Sequence, residues 1–324
     1  MAAPTQPANG ASRRRLALVE ARVAQAHEYM ARLERSLAKD VLTPGIGMIY
    51  GEQAKYVTWT IPAELGNGVI FLLQMTDLQF GHVMCRYDRV VEYRDWVLAA
   101  PNRFMLWTGD MLDAWAMHSP GTPWEQISNP QSQVYRMVEM WAPARHRIIG
   151  YVGGNHERRP EPAFGDLGTL VATLLRIPYS AGRQFVDVRF GQHDPFRISL
   201  WHGAGGARTK GTVAQVLDRF CQQGDSQLYC MGHLHQPMIM PGWKEYRDSR
   251  HRQIKLRKYV GCVGSSFLES WNTYGEIRGF ASTDVLMPCC QLEADGHWQV
   301  NLRTWLLPLL VPMATMTTLI LSWI

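Results

Sequence analysis

The sequence predicts an α/β protein with a largely parallel sheet and a second, more antiparallel one. Three short apolar runs, Val69–Met75, Phe104–Trp107 and Arg147–Val152, alternate with segments of helical character, the pattern of parallel strands joined by crossover helices. Further on, Phe185–Phe190 and Phe196–Trp201 alternate apolar and polar residues around the turn Gly191–Pro195, as a hairpin with one buried face does. At 324 residues, 46% hydrophobic and 19% charged, the chain has material for a large core.

Residues 1–11, rich in Ala, Pro, Asn and Gly, have the composition of a disordered terminus. Across the 12–40 segment, Leu16, Val19, Val23, Ala26, Met30, Leu33 and Leu37 recur at three and four, which predicts one amphipathic helix. Its interleaved Glu20, Glu28 and Glu34 favour docking to a partner or oligomerisation over a membrane surface. The main folded domain is expected over 41–303. Val69–Met75 is apolar throughout, as a strand buried on both faces requires, and a helix follows from about Asp88 to Ala99. After the strand Phe104–Trp107, the Pro/Gly/Ser-rich stretch 118–130 reads as an ordered loop or insertion beside the site. A helix around 131–142 returns the chain to Arg147–Val152. Helices at Leu167–Leu175 and Thr212–Cys221, and strands at Leu228–Met231, Arg257–Val263 and Trp298–Leu302, complete the reading.

Six cysteines without framework spacing point to a reduced compartment. Ser12–Leu16 has the look of a twin-arginine export signal, but the charged Val19–Arg22 that follows is no apolar core segment, so a cytoplasmic location is expected. The uncharged stretch 304–324 is long enough to span a bilayer. Its Pro308, Pro312 and four threonines favour a packed or poorly ordered terminus over a membrane anchor. The net charge of +5 permits a phosphate-bearing substrate without arguing for nucleic acid, since no dense Lys/Arg stripe accompanies it.

The chemistry gathers where apolar runs end. Asp77 and Gln79 follow the first run, Asp110 the second, and Asn155 and His156 the third. His202 follows the hairpin, and His233 and His235 follow Leu228–Met231. Glycines after a strand let the backbone turn sharply and approach a ligand. In open α/β sheets the strand ends are where sites lie. Taken singly, an Asp after Thr-Gly is more often a helix cap, and a His-x-His pair more often exposed polarity. Together, carboxylates and imidazoles suit manganese, iron or zinc rather than calcium or magnesium. Asp110, on the middle strand, is placed to bridge two ions, and on an extended segment His233 and His235 would share one face.

Asp77-x-Gln79, Gly109-Asp110, Gly154-Asn155-His156-Glu157, His202-Gly203 and Gly232-His233-x-His235 resemble the five blocks of the calcineurin-like metallophosphoesterases over roughly 69–285. The resemblance implies an α/β four-layer sandwich of two mixed β-sheets flanked by helices, here with the N-terminal amphipathic helix added. It implies two divalent metal ions, manganese first, with iron or zinc as alternatives. Asp77, Asp110 and His235 would hold the first ion, and Asp110, Asn155, His202 and His233 the second. It implies phosphoester hydrolysis by a hydroxide bridging the metals, with His156, a non-ligand, steadying the transition state or protonating the leaving alkoxide. A phosphodiester or nucleic-acid end is favoured over a monoester. The first block departs from the family, which has His where this chain has Gln79. A neutral amide is a weaker ligand, and this puts the affinity of the first metal in doubt. His82 has two readings, a compensating ligand or a surface histidine. Arg158 and Arg159 also have two, contacts to a substrate phosphate or surface charge. The alternative to an enzyme is a non-catalytic metal-binding scaffold of the same fold that acts in protein interaction.

Overall fold

A computed structural model of the protein describes residues 47–50, 54–62, 65–117, 119, 121–161, 165–248, 250–271, 273–277, 279 and 281–303. The expected 12–40 helix and 304–324 tail lie outside the described residues, and among those described no helix is long and apolar enough to cross a membrane.

The strands are β1 (Gly47–Tyr50), β2 (Tyr56–Ile61), β3 (Val69–Met75), β4 (Arg103–Trp107), β5 (Ile148–Tyr151), β6 (Gln184–Phe190), β7 (Phe196–Trp201), β8 (Leu228–Met231), β9 (Met238–Asp248), β10 (Gln253–Val263), β11 (Met287–Glu293) and β12 (Trp298–Arg303). They form a five-stranded sheet, ordered β12-β11-β3-β4-β5, and a seven-stranded sheet, ordered β1-β2-β6-β7-β8-β10-β9. In the smaller sheet β3, β4 and β5 are parallel, as the crossover pattern predicts, and β11 and β12 extend it antiparallel. The larger sheet is more mixed than expected. β6 and β7 do form an antiparallel hairpin, but β2–β6, β7–β8 and β8–β10 are parallel.

The two sheets stack through one apolar layer. Val57, Trp59, Val186, Ile198, Leu200 and Leu228 of the larger sheet meet Ile70, Leu72, Phe104, Leu106 and Ile149 of the smaller one. The Trp59 indole N–H also donates to the Ile149 carbonyl at 3.0 Å, pinning β2 across to β5. Helices cover the outer faces, making four layers. On the smaller sheet, α1 (Tyr87–Leu98) and α2 (Pro130–Trp141) set Trp96 against Phe71 and Trp141 against Trp107. Asn129 caps α2 by accepting from the Ser132 amide at 2.9 Å, and Pro130 opens its first turn. On the larger sheet, α5 (Lys210–Cys221) buries Val213, Leu217 and Phe220 against Tyr229, Met231 and Val263. Two short elements, α3 (Asn155–Arg158) and α4 (Leu167–Leu175), follow β5.

The parallel order has a consequence for function. The C-terminal ends of β3, β4 and β5 lie side by side, and β7 and β8 end above them in the facing sheet. Every motif segment leaves a strand at that edge. Trp107, the last residue of β4, is fully buried between Trp141 and Tyr151, with ring centroids at 5.2 and 5.3 Å. Removing so large a side chain leaves a cavity at the root of the Asp110 loop. We expect Trp107→Ala to lower unfolding free energy by about 3–5 kcal/mol, measured by urea denaturation, and Trp107→Phe to lower it less.

Candidate metal centre

The loops that follow these strands are held in uncommon backbone conformations. Asp77 (φ 49°), Gln79 (φ 47°), Asp110 (φ 51°), His233 (φ 69°) and His235 (φ 54°) all lie in the left-handed region. Such conformations cost free energy and concentrate where the surrounding structure enforces them for a purpose. Hydrogen bonds between adjacent loops do the enforcing. The Asp77 and Gln79 amides donate to the carbonyls of Gly109 and Asp110, both at 3.0 Å, and the Gly232 amide donates to the His202 carbonyl at 3.0 Å. His233 and His235 therefore reach the site from successive left-handed turns, not from alternate positions of an extended strand as the sequence suggests.

The side chains converge as two groups. In the first, the His235 Nε2 lies 3.0 Å from Asp77 Oδ1 and 3.5 Å from the Gln79 amide nitrogen. Rotating that amide half a turn presents its oxygen to the same place. The other Asp77 oxygen accepts from the Thr76 hydroxyl at 2.6 Å and the His233 amide at 2.9 Å. In the second group, three donor atoms meet around one ring nitrogen of His202. Its Nε2 lies 3.1 Å from Asn155 Oδ1, 3.2 Å from Asp110 Oδ2 and 3.3 Å from His233 Nδ1. Donor atoms bound at about 2.1 Å to a shared ion stand about 3.0–3.4 Å apart, so this spacing fits a single cation. Asp110, His202 and His233 can thus hold a metal ion.

Hydrogen bonds also choose the imidazole tautomers. His202 Nδ1–H donates to the Thr108 carbonyl at 2.7 Å and His233 Nε2–H to the Gly205 carbonyl at 2.8 Å. Each ring then turns a lone pair inward, as histidine ligands backed by an outer acceptor do. Asp77 and Asp110 are both buried, at 0% and 1% exposure. Burial would raise their carboxyls, but facing imidazoles outweigh it and hold both below the usual range: mainly His235 at Asp77, and His156 and His202 at Asp110. Burial likewise pulls His202 down, yet the Asp110 carboxylate overrides it and pushes the ring up to about 10. At Asp110 the buried negative charge is thus answered by the His202 imidazolium, the place a divalent cation takes when it displaces the proton.

Around the centre lie residues whose part the sequence does not reveal. Glu157, fully buried, accepts from the amides of Asp110 (3.1 Å), Met111 (2.5 Å), Leu112 (3.4 Å) and Gly154 (3.0 Å), and from the Tyr151 hydroxyl (3.2 Å). Burial, with the Asp110 charge added, raises its carboxyl. Asp113 meets His156 Nδ1 with its carbonyl at 2.8 Å and its carboxylate at 3.1 Å, which leaves His156 Nε2 facing Asp110 Oδ2 at 3.5 Å. Gln74 donates to both the Thr108 hydroxyl and the Met231 carbonyl at 2.8 Å, tying β3 to the ends of β4 and β8. Glu157 and Asp113 had a faint signal, each lying two or three residues beyond a candidate ligand. Gln74 had none.

The remaining candidates divide. His82 is not at the surface: it is buried at 5% exposure, with Nδ1 accepting from the Met84 amide at 3.0 Å, and it lines a narrow cleft beside His156. Arg159 borders the same cleft, its Nη1 2.8 Å from His156 Nδ1. Arg158 pairs instead with Glu161 at 3.5 Å on the exposed side of α3.

No protein-family model matches the chain, and neither does any curated protein. Among solved structures, the nuclease MPE of Pseudomonas putida is similar at 13% identity, over 80% of this chain and 100% of the other, with a TM-score of 0.31.

Two glycines make the close approach possible. A Cβ on Gly109 (φ 90°) would stand 2.5 Å from His202 Nδ1, and one on Gly154 would overlap the Asp110 carboxylate and amide. We expect Gly154→Ala to weaken Mn²⁺ binding at least tenfold in isothermal titration. Gly211→Ala, where a Cβ meets nothing within 4 Å, should leave that binding unchanged.

Proposed function

We propose that this chain is a metal-dependent phosphoesterase that acts on phosphodiesters or nucleic-acid ends ahead of monoesters. The observation that carries the reading is the convergence of three donor atoms on His202 Nε2 at 3.1–3.3 Å, with His202 and His233 arriving from strand ends of the facing sheet. Its donors are a carboxylate, an amide oxygen and imidazoles, which suit manganese, iron or zinc. Asn155, His202 and His233 would hold one ion and Asp77, Gln79 and His235 another, with Asp110 available to both.

A bound pair of ions supplies Lewis acidity, activating a water and neutralising phosphoryl charge. The chain's own residues do the rest. Asp77 and Asp110 are fixed in direction, because Thr76, the His233 amide and the His156 amide each occupy one of their lone pairs. His156, oriented by Asp113, turns Nε2 toward the centre and delivers a proton to the leaving oxygen. Arg159 meets a non-bridging phosphoryl oxygen from the cleft. Glu157 fixes the Asp110 loop through three amides, so that Asp110 keeps its place as charge moves in the site. Arg158, in an exposed pair with Glu161 at 3.5 Å, stays a second candidate for a substrate phosphate.

The reading is tested by hydrolysis of bis(p-nitrophenyl) phosphate with added Mn²⁺. The wild type should turn over, Asp110→Asn should fall at least 100-fold, and His156→Ala should lose kcat with little change in metal affinity. Absence of Mn²⁺-dependent turnover, or turnover indifferent to Asp110→Asn, would favour a binding scaffold of the same fold. In a second test, Gln79→His should tighten the weaker of two Mn²⁺ sites. A titration identical to wild type would place Gln79 outside the coordination sphere.

A further inference from the structure

Beside His156 and Gln79 the chain builds a wall of three adjacent segments. His82 bridges to Gln126, and the Val83 amide donates to the Glu125 carbonyl at 2.8 Å. On the other flank Cys85 bridges to Leu268, and the Glu269 amide donates to the Met84 carbonyl at 3.0 Å. His82, Gln126 and Leu268 face the narrow cleft that also contains Gln79, His156 and Arg159. Each outer segment carries a tryptophan at its edge: Trp124, 88% exposed, next to Glu125, and Trp271, 61% exposed, three residues after Leu268. A third, Trp115, lines the cleft, and its buried indole N–H finds no acceptor among the described residues.

Large aromatic side chains are not left in water for stability, and here two exposed tryptophans sit on segments that border the cleft while a third stands in its lining. Their chemistry is selective. An indole offers a flat π-face, which suits stacking against another flat ring, and a donor with nothing to bind, which suits a heterocyclic nitrogen or carbonyl acceptor. Charge around the centre agrees. His233 Nε2 donates to the Gly205 carbonyl and Gln236 Nε2 to the Arg208 carbonyl, at 2.8 and 2.5 Å, so the glycine-rich loop carrying the exposed Arg208 and Lys210 is fastened along the His233 side. Of the nearby acids, Glu269 pairs with Arg86 at 3.2 Å, Asp113 with His156, and Glu125 accepts from the Thr122 amide at 2.7 Å.

We infer that the tryptophan wall stacks unpaired nucleobases, so that the ester offered to the centre belongs to a single-stranded nucleic acid or a frayed strand end. The inference rests on the phosphodiesterase reading for the place of the scissile phosphate. Duplex bases are stacked on one another and cannot reach Trp115 in the cleft. A single strand can lay its backbone along the basic loop while bases turn onto Trp124 and Trp271.

The test is binding of a fluorescently labelled single-stranded 12-mer by the full chain in EDTA, read by anisotropy, beside an abasic strand of the same length. The base-bearing strand should bind at least tenfold more tightly. Trp124→Ala and Trp271→Ala should each remove most of that difference, and Trp124→Phe, which keeps a ring, should preserve more of it than Trp124→Leu. Equal affinity for the two strands, or phenylalanine and leucine variants that behave alike, would overturn the inference. Wild-type turnover of bis(p-nitrophenyl) phosphate assigns a failure. Turnover without base preference sinks this inference alone, whereas base preference without turnover retires the hydrolase reading and upholds the stacking wall.

Discussion

Two carboxylates that have left water, Asp77 and Asp110, are the constraint on which the site depends. An isolated carboxylate carried into the interior would take up a proton instead of staying charged. These stay charged because imidazoles face them from three further strand ends, at 3.0 Å for His235 and Asp77 and 3.2 Å for His202 and Asp110. That attraction requires left-handed backbone at five positions, a cost of order 1–3 kcal/mol each. It also requires glycine at 109 and 154, where any Cβ would strike a ligand. The stability for such an arrangement comes from elsewhere, chiefly the apolar layer between the sheets and the aromatic packing under β4.

The architecture explains why the site sits where it does. Parallel strands bring their C-terminal ends to one edge, and stacking a second sheet with β7 and β8 in a matching direction brings three more ligands to the same edge. Trp59 and Gln74 tie the two sheets across the interior and at that edge. The centre is therefore a property of the interface between the sheets, and neither sheet alone holds either group of donors.

Much of this was legible in the sequence. β3 and α4 fall where the periodicity puts them, at Val69–Met75 and Leu167–Leu175, because each is apolar enough to be fully or largely buried and ends at a polar turn. The candidate ligands were legible because metal chemistry demands Asp, Asn and His, which are conspicuous just after apolar runs. Other features were hidden for physical reasons. β9 and the first half of β10 form a long hairpin whose side chains alternate only between half-buried and exposed, so its mixed composition shows no apolar face. The direction of His82 could not be known, since a histidine flanked by glycine and valine fits a surface turn or a cleft equally. Glu157 acts through four backbone amides, and an acceptor for amides leaves no mark on the residues it serves.

The central claim is that the strand ends hold two cations a short distance apart. It is tested most directly by electron paramagnetic resonance of the protein titrated with Mn²⁺. Two ions about 3.5–4 Å apart are exchange-coupled. The account predicts a stoichiometry of two Mn²⁺ per chain and a coupled multiline spectrum that Asp110→Asn abolishes. A single uncoupled six-line signal at saturation, or a coupled signal that survives Asp110→Asn, would contradict it.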